Sequence, residues 1–159
     1  MFDKTKQQQK MMEMASNDKW DLFVTLSFTT IKTQDQVTKS LKLFFISVER
    51  TCFGRQATNK LIHRLPVIEH TSEATHIHLL IIKPYDKKFS EFRDVLMTKW
   101  KKVSGSGWSN LRKKDGGSTW YMAITDTNED RENVINYITK HIPHDYKTVD
   151  FENVMTTSI

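Results

Sequence analysis

The sequence predicts an α+β fold, a central antiparallel sheet of about five strands with flanking helices. Three observations carry that expectation. Segments rich in β-branched and aromatic residues interchange with segments whose apolar residues recur every three or four positions. Two strand-like runs, 61–70 and 74–83, are separated only by a short polar link, which is hairpin spacing. Each remaining strand joins the next through a helix, an order that suits one antiparallel sheet with helices against a face.

The elements follow in order. Residues 1–18 are polar and rich in Gln and Met, and are expected to be a flexible lead, a frayed tail or at most a short helix. Residues 20–28 (WDLFVTLSF) read as a strand with Leu22, Val24, Leu26 and Phe28 on one face and Phe23, Thr25 and Ser27 on the other. Residues 34–53 predict a helix, because Val37, Leu41, Phe44, Phe45 and Val48 form a stripe of helical period, and Gly54 stands where a C-terminal glycine is favoured. The hairpin at 61–70 and 74–83 is stopped by Pro84, which has no N–H for the ladder. Residues 90–103 predict a helix with Ser90 as N-cap and Phe92, Val95, Leu96 and Trp100 on its apolar side. A loop rich in Gly, Ser and basic residues leads to a fourth strand at 119–125. A helix over 128–142 ends at Pro143. The expected organisation is a domain over 19–145 and a C-terminal extension of uncertain structure over 146–159. The order strand, helix, strand, strand, helix, strand, helix resembles the ferredoxin-like or RRM-like split βαβ arrangement.

Composition bounds the function. At 159 residues the chain is about one domain long, enough to bury roughly two-thirds of its unfolded surface without a disulfide or structural metal. Lys plus Arg number 24 and Asp plus Glu 19, and the net charge of +5 leans toward a polyanionic partner. The single cysteine, Cys52, excludes an internal disulfide and a zinc site of several thiolates. It suits a reducing compartment. No apolar run is long enough to span a bilayer and no signal peptide is visible, so an intracellular protein with no membrane partner is expected.

The hairpin carries the most chemistry. His76 and His78 are two apart on a strand and therefore share a face. If the turn centres on Ser72-Glu73, the cross-strand pairs are Thr71 with Ala74, His70 with Thr75 and Glu69 with His76. Glu69 then joins both histidines on one face, and a slip of one residue would send it to the other. Two imidazoles and a carboxylate with open positions suit a divalent metal, and donor softness leaves Mn, Mg, Co and Zn open. A bare His-x-His is also what the solvated face of a half-buried strand shows; the opposed glutamate favours the metal reading. On the last helix, Tyr137 borders the stripe of Val134, Ile135, Ile138 and Ile142, with Lys140 at i+3. A phenol is a poor nucleophile at neutral pH, and a nearby cation or metal favours the phenolate.

Glu69, His76-Ile77-His78 and the downstream Tyr137-Ile-Thr-Lys140 resemble the HUH endonucleases, and among them the single-tyrosine rolling-circle replication initiators (Rep proteins) of small circular replicons. The family's first motif, a hydrophobic strand with Thr or Ser, is matched by the segment from Phe23 to Phe28. The three motifs stand in the family's order and cover most of the chain. The resemblance implies sequence-specific nicking and joining of single-stranded DNA at a replication origin, either a hairpin or a nick site. It implies Tyr137 as nucleophile forming a 5′-phosphotyrosine, Lys140 beside it, and Glu69, His76 and His78 holding Mn²⁺ or Mg²⁺. Host replication machinery would be a further partner. The location would be cytoplasmic in a prokaryotic host or nuclear for a eukaryotic virus. There is no phosphate-loop motif, so no nucleotide cofactor is expected in this chain. Within the basic loop, Trp108, Arg112, Lys113 and Lys114 are the candidate DNA contacts, an aromatic for stacking and cations for phosphates. Arg55, Lys60 and Arg64 form a second candidate cluster.

Other readings stand beside this one. Single-tyrosine insertion-sequence transposases share the histidine pair followed by tyrosine, but usually place Gln at i+4 from it, where this chain has His141. Conjugative relaxases put the tyrosine before the histidines. A non-catalytic, ferredoxin-like nucleic-acid-binding module would keep the basic loop and need neither metal nor Tyr137.

Overall fold

The computed structural model describes residues 4–17, 19–55, 61–104, 121–124, 128–139 and 147–155. The protein is α+β. Its elements in order are α1 (Lys4–Asn17), β1 (Leu22–Ser27), α2 (Gln34–Phe53), β2 (Arg64–His70), β3 (Thr75–Ile81), α3 (Phe89–Ser104), β4 (Tyr121–Ala123), α4 (Asn128–Thr139) and β5 (Lys147–Val149), followed by a 3-10 turn at Phe151–Asn153. The three long strands pair antiparallel with β3 between β1 and β2, and the three-residue strands β4 and β5 lie at the edges, in the order β4-β1-β3-β2-β5. Because β1 and β2 are both antiparallel to β3, they run parallel to each other and are joined through α2. By the same logic β3 and β4 run parallel on either side of β1, joined through α3.

Alternation along the strands sorts side chains onto two faces. On one face Leu22, Val24, Leu26, Ile68, Ile77, Leu79 and Ile81 pack against Val37, Leu41, Phe44, Phe45 and Val48 of α2 and against Phe92, Leu96 and Trp100 of α3. The Trp100 indole N–H donates to the Ser27 carbonyl at 3.0 Å, so this large ring is both buried and satisfied. On the other face Phe23, Leu65, Val67 and Leu80 pack with Met11, Met14 and Ala15 of α1, Ile138 of α4 and Val149 of β5.

Of the readings expected for the N-terminal segment, flexible lead, frayed tail or short helix, the structure has the helix. Its helix buries Met11 and Ala15 completely, and the Trp20 indole N–H donates to the Ala15 carbonyl at 2.7 Å. Helix starts differ. Thr33 caps α2 in a capping box with Gln36, which the Thr-x-x-Gln spacing encodes. Ser90, expected as the N-cap of α3, lies inside the helix; the first intrahelical bond reaches the Lys88 carbonyl, and the Glu91 carboxylate accepts from the Lys88 N–H at 3.2 Å. Gly54 takes the C-cap of α2 with φ of 59°, the left-handed region that glycine enters without penalty.

Arg64 is a correction as well. Expected with Arg55 and Lys60 as a DNA-contacting cluster, it is buried, ion-paired with Glu49 of α2 and stacked on the Phe45 ring at 4.3 Å. Its Nε–H donates to the Asn153 carbonyl at 3.0 Å, tying the C-terminal turn to the sheet. Arg55 is exposed, and Lys60 lies outside the described residues. Truncating one partner of a buried ion pair leaves the other charge uncompensated. Arg64→Ala is therefore expected to cost about 3–5 kcal/mol in urea unfolding. The apolar double replacement Arg64→Met with Glu49→Leu should cost far less. Equal losses in both variants would show that the charge pairing is not what the interior depends on.

Candidate functional site

The hairpin register is the one the turn predicts. The Thr71 N–H donates to the Ala74 carbonyl at 2.9 Å, and the Thr71 hydroxyl accepts from the Ala74 N–H at 3.1 Å. From that turn, His70 pairs with Thr75, Glu69 with His76 and Val67 with His78. On the other flank of β3, Ser27 pairs with His76 and Thr25 with His78. Glu69, His76, His78 and Thr25 therefore share the face opposite α2 and α3.

On that face His78 is the hub. Its Nε2 lies 2.7 Å from Glu69 Oε2 and its Nδ1 lies 3.1 Å from the Thr25 hydroxyl. Phe23 stacks on its ring, with centroids 5.7 Å apart and planes 10° from parallel. Tyr137 of α4 stands edge-on to both rings, 5.9 Å from His78 and 5.7 Å from Phe23. Edge-on contacts of this kind are favoured by the ring quadrupoles. His78 is 7% exposed while Tyr137 is 56% exposed. The tyrosine thus touches the histidine yet keeps much of its surface in solvent.

The donor set fits a divalent cation in type and face: one carboxylate and two imidazoles, with the His76 Nδ1 buried and lacking a hydrogen-bond partner among the described residues. In the structure Glu69 and His78 are engaged with each other, and among the described residues no three His, Cys, Asp or Glu side chains close on one point. Burial pushes the His76 pKa below the ordinary histidine value, with His78 adding to the depression and Glu69 opposing it. A neutral imidazole is the form that can donate a lone pair to a metal.

The remaining sequence candidates divide by location. Lys140, Trp108, Arg112, Lys113 and Lys114 lie outside the described residues, as does His141. Lys101 and Lys102, which precede the basic loop, are exposed in the last turn of α3. Sequence reasoning missed Phe23 and Thr25 as members of the site. Their signal was present in the alternation of β1, which puts Phe23, Thr25 and Ser27 on one face; that this face is the histidine face follows only from the pairing of β1 with β3. Among the described residues no helix is long and apolar enough to cross a membrane. No family model, curated protein or solved structure matches the chain.

The depressed His76 pKa has a definite sign in stability. The unfolded chain takes up a proton near pH 6.5, before the native ring does, so stability is retained above that pH and falls as pH drops toward the lowered native value. His76→Gln is expected to show a smaller decline in urea midpoint between pH 7 and pH 5 than the parent protein. Identical declines would show that His76 is not a source of acid lability.

Proposed function

We propose that the protein is a metal-dependent, sequence-specific endonuclease and strand transferase of the HUH Rep type, nicking and joining single-stranded DNA at a replication origin. The observation that carries this reading is the contact of Tyr137 with His78. The two residues are distant in the chain, on α4 and β3, and the fold brings them together on the face that also bears Glu69 and His76. The strand order β4-β1-β3-β2 with α2 and α3 as crossovers is what a ferredoxin-like split βαβ core requires, and it supports the same reading.

In this reading the Tyr137 phenol oxygen attacks the scissile phosphorus. A new bond forms between the phenol oxygen and the phosphorus that stays on the 5′ side of the break, the bond from phosphorus to the 3′ oxygen breaks, and the proton lost by the phenol is balanced by one taken up by the departing 3′ oxygen. The free 3′-OH can prime synthesis, and its return to the phosphotyrosine reverses the step and joins strands. Glu69, His76 and His78 would hold Mn²⁺ or Mg²⁺, which supplies charge to polarise the phosphate. Phe23 and His78 orient the phenol ring by edge contact. Lys140, three residues beyond Tyr137 in the sequence, would neutralise phosphate charge. Trp108, Arg112, Lys113 and Lys114 would stack on unpaired bases and track the backbone.

Incubation with labelled single-stranded origin DNA and Mn²⁺ should yield a covalent protein–DNA adduct. Tyr137→Phe should abolish the adduct and leave DNA binding intact. An adduct formed by the phenylalanine variant would dismiss Tyr137 as nucleophile, and binding with no adduct in the parent protein would instead indicate a non-catalytic module. Glu69→Gln should weaken Mn²⁺ binding and slow adduct formation together. DNA affinity should fall steeply between about 50 and 200 mM salt, as neutralised phosphates release counterions; a flat profile would remove the basic residues from the interface.

A further inference from the structure

The hydrogen bond between Thr25 and His78 points to a positioning role for a residue that lies in neither the metal set nor the nucleophile's helix. His78 is held at both ring nitrogens. Nε2 sits 2.7 Å from Glu69 Oε2, and Nδ1 sits 3.1 Å from Thr25 Oγ1. A carboxylate oxygen accepts, so the contact with Glu69 uses the Nε2–H. In a neutral ring Nδ1 is then an acceptor, and the Thr25 hydroxyl donates to it.

A cation at Nε2 requires the opposite tautomer. The proton on Nε2 leaves and one arrives at Nδ1, so the ring stays neutral and its proton count is unchanged. Nδ1–H must then donate. A carbonyl at that position could not have satisfied the first state, and a backbone N–H could not satisfy the second. A hydroxyl serves both, because it is donor and acceptor in turn. The Phe23 ring stacked on His78 restrains the imidazole plane, so the change of tautomer need not turn the ring.

We propose that Thr25 is a tautomer-matching partner of His78, stabilising the Nδ1–H form that leaves Nε2 free for a divalent cation while also satisfying the ring when no cation is bound. This rests on the metal reading of Glu69, His76 and His78. Residues that hold the second nitrogen of a metal-bound histidine typically contribute 10–100-fold in metal affinity.

The test uses the full chain and Zn²⁺, a diamagnetic probe. By titration calorimetry Thr25→Val, which keeps the β-branched shape and loses the hydroxyl, should bind Zn²⁺ about 10–100-fold more weakly than the parent. Thr25→Ser should recover most of that loss, which a purely packing role of the threonine methyl would not allow. In the ¹⁵N spectrum of the Zn²⁺-loaded parent, His78 should show a protonated Nδ1 and a metal-bound Nε2; this measurement decides the matter even if Thr25→Val does not fold. Equal Zn²⁺ affinity in the parent and Thr25→Val overturns the inference alone, as does Zn²⁺ bound through Nδ1. A parent protein that binds no Zn²⁺ overturns the inference together with the metal reading. The adduct assay on Tyr137 reports independently on the nucleophile.

Discussion

The pairing register of β3 governs the structure. This strand is bonded on both flanks, to β1 and β2, and its side chains alternate between two environments that cannot be exchanged. Ile77, Leu79 and Ile81 enter the core under α2 and α3, while His76, His78 and Leu80 lie on the opposite face, where Leu80 packs with α1 and α4 and His78 meets Tyr137 of α4. A shift of one residue would drive two imidazoles into the phenylalanine-lined layer under α2 and α3 and withdraw Ile77, Leu79 and Ile81 from it, leaving the larger core without its packing and the imidazoles without their partners. The same apolar residues that stabilise the sheet therefore aim the polar ones. The short turn reinforces this, because Thr71 bonds across it with both backbone and hydroxyl.

Around this strand the two faces are built differently. The α2–α3 side is a continuous apolar layer in which Trp100, Phe44, Phe45 and Phe92 are fully or almost fully buried. The opposite side is mixed. Phe23, Val67 and Leu80 are covered by α1 and α4, and beyond them toward the turn the surface becomes polar. The site lies at that boundary. An apolar neighbour excludes water from His78 on one side, and Glu69, about a quarter of whose side chain is exposed, remains accessible on the other.

Much of this architecture is legible in the sequence because it is local. Strand alternation, the stripe of α2 and the polar turn each lie within a dozen or so residues, and the Glu69–His76 pairing follows from the turn alone. What escapes sequence reasoning depends on partners far along the chain. The α1 segment has no strong apolar stripe of its own; Met11, Met14 and Ala15 gain a role only because α4 and the second face of the sheet are beside them. Arg64 reads as a surface cation until Glu49, a turn short of the end of α2, is placed beneath it. The pairing of β5 with β2 brings Val149 opposite Val67, a contact no local pattern announces. Thr25 belongs with these. Its position on the strand is predictable, and its partner is not.

The burial of His78 also sets a direction of approach. Its backbone is closed on both flanks by β1 and β2, the reverse face of its strand lies against the α2–α3 core, and Phe23 covers one side of its ring. Among the described residues, the groups that border the ring and keep solvent-accessible surface are Glu69, partly, and Tyr137. Of the described groups, the phenol and the carboxylate are the ones that flank the open side of the imidazole. That one-sided opening is set by topology, and a strand at the edge of the sheet could not impose it.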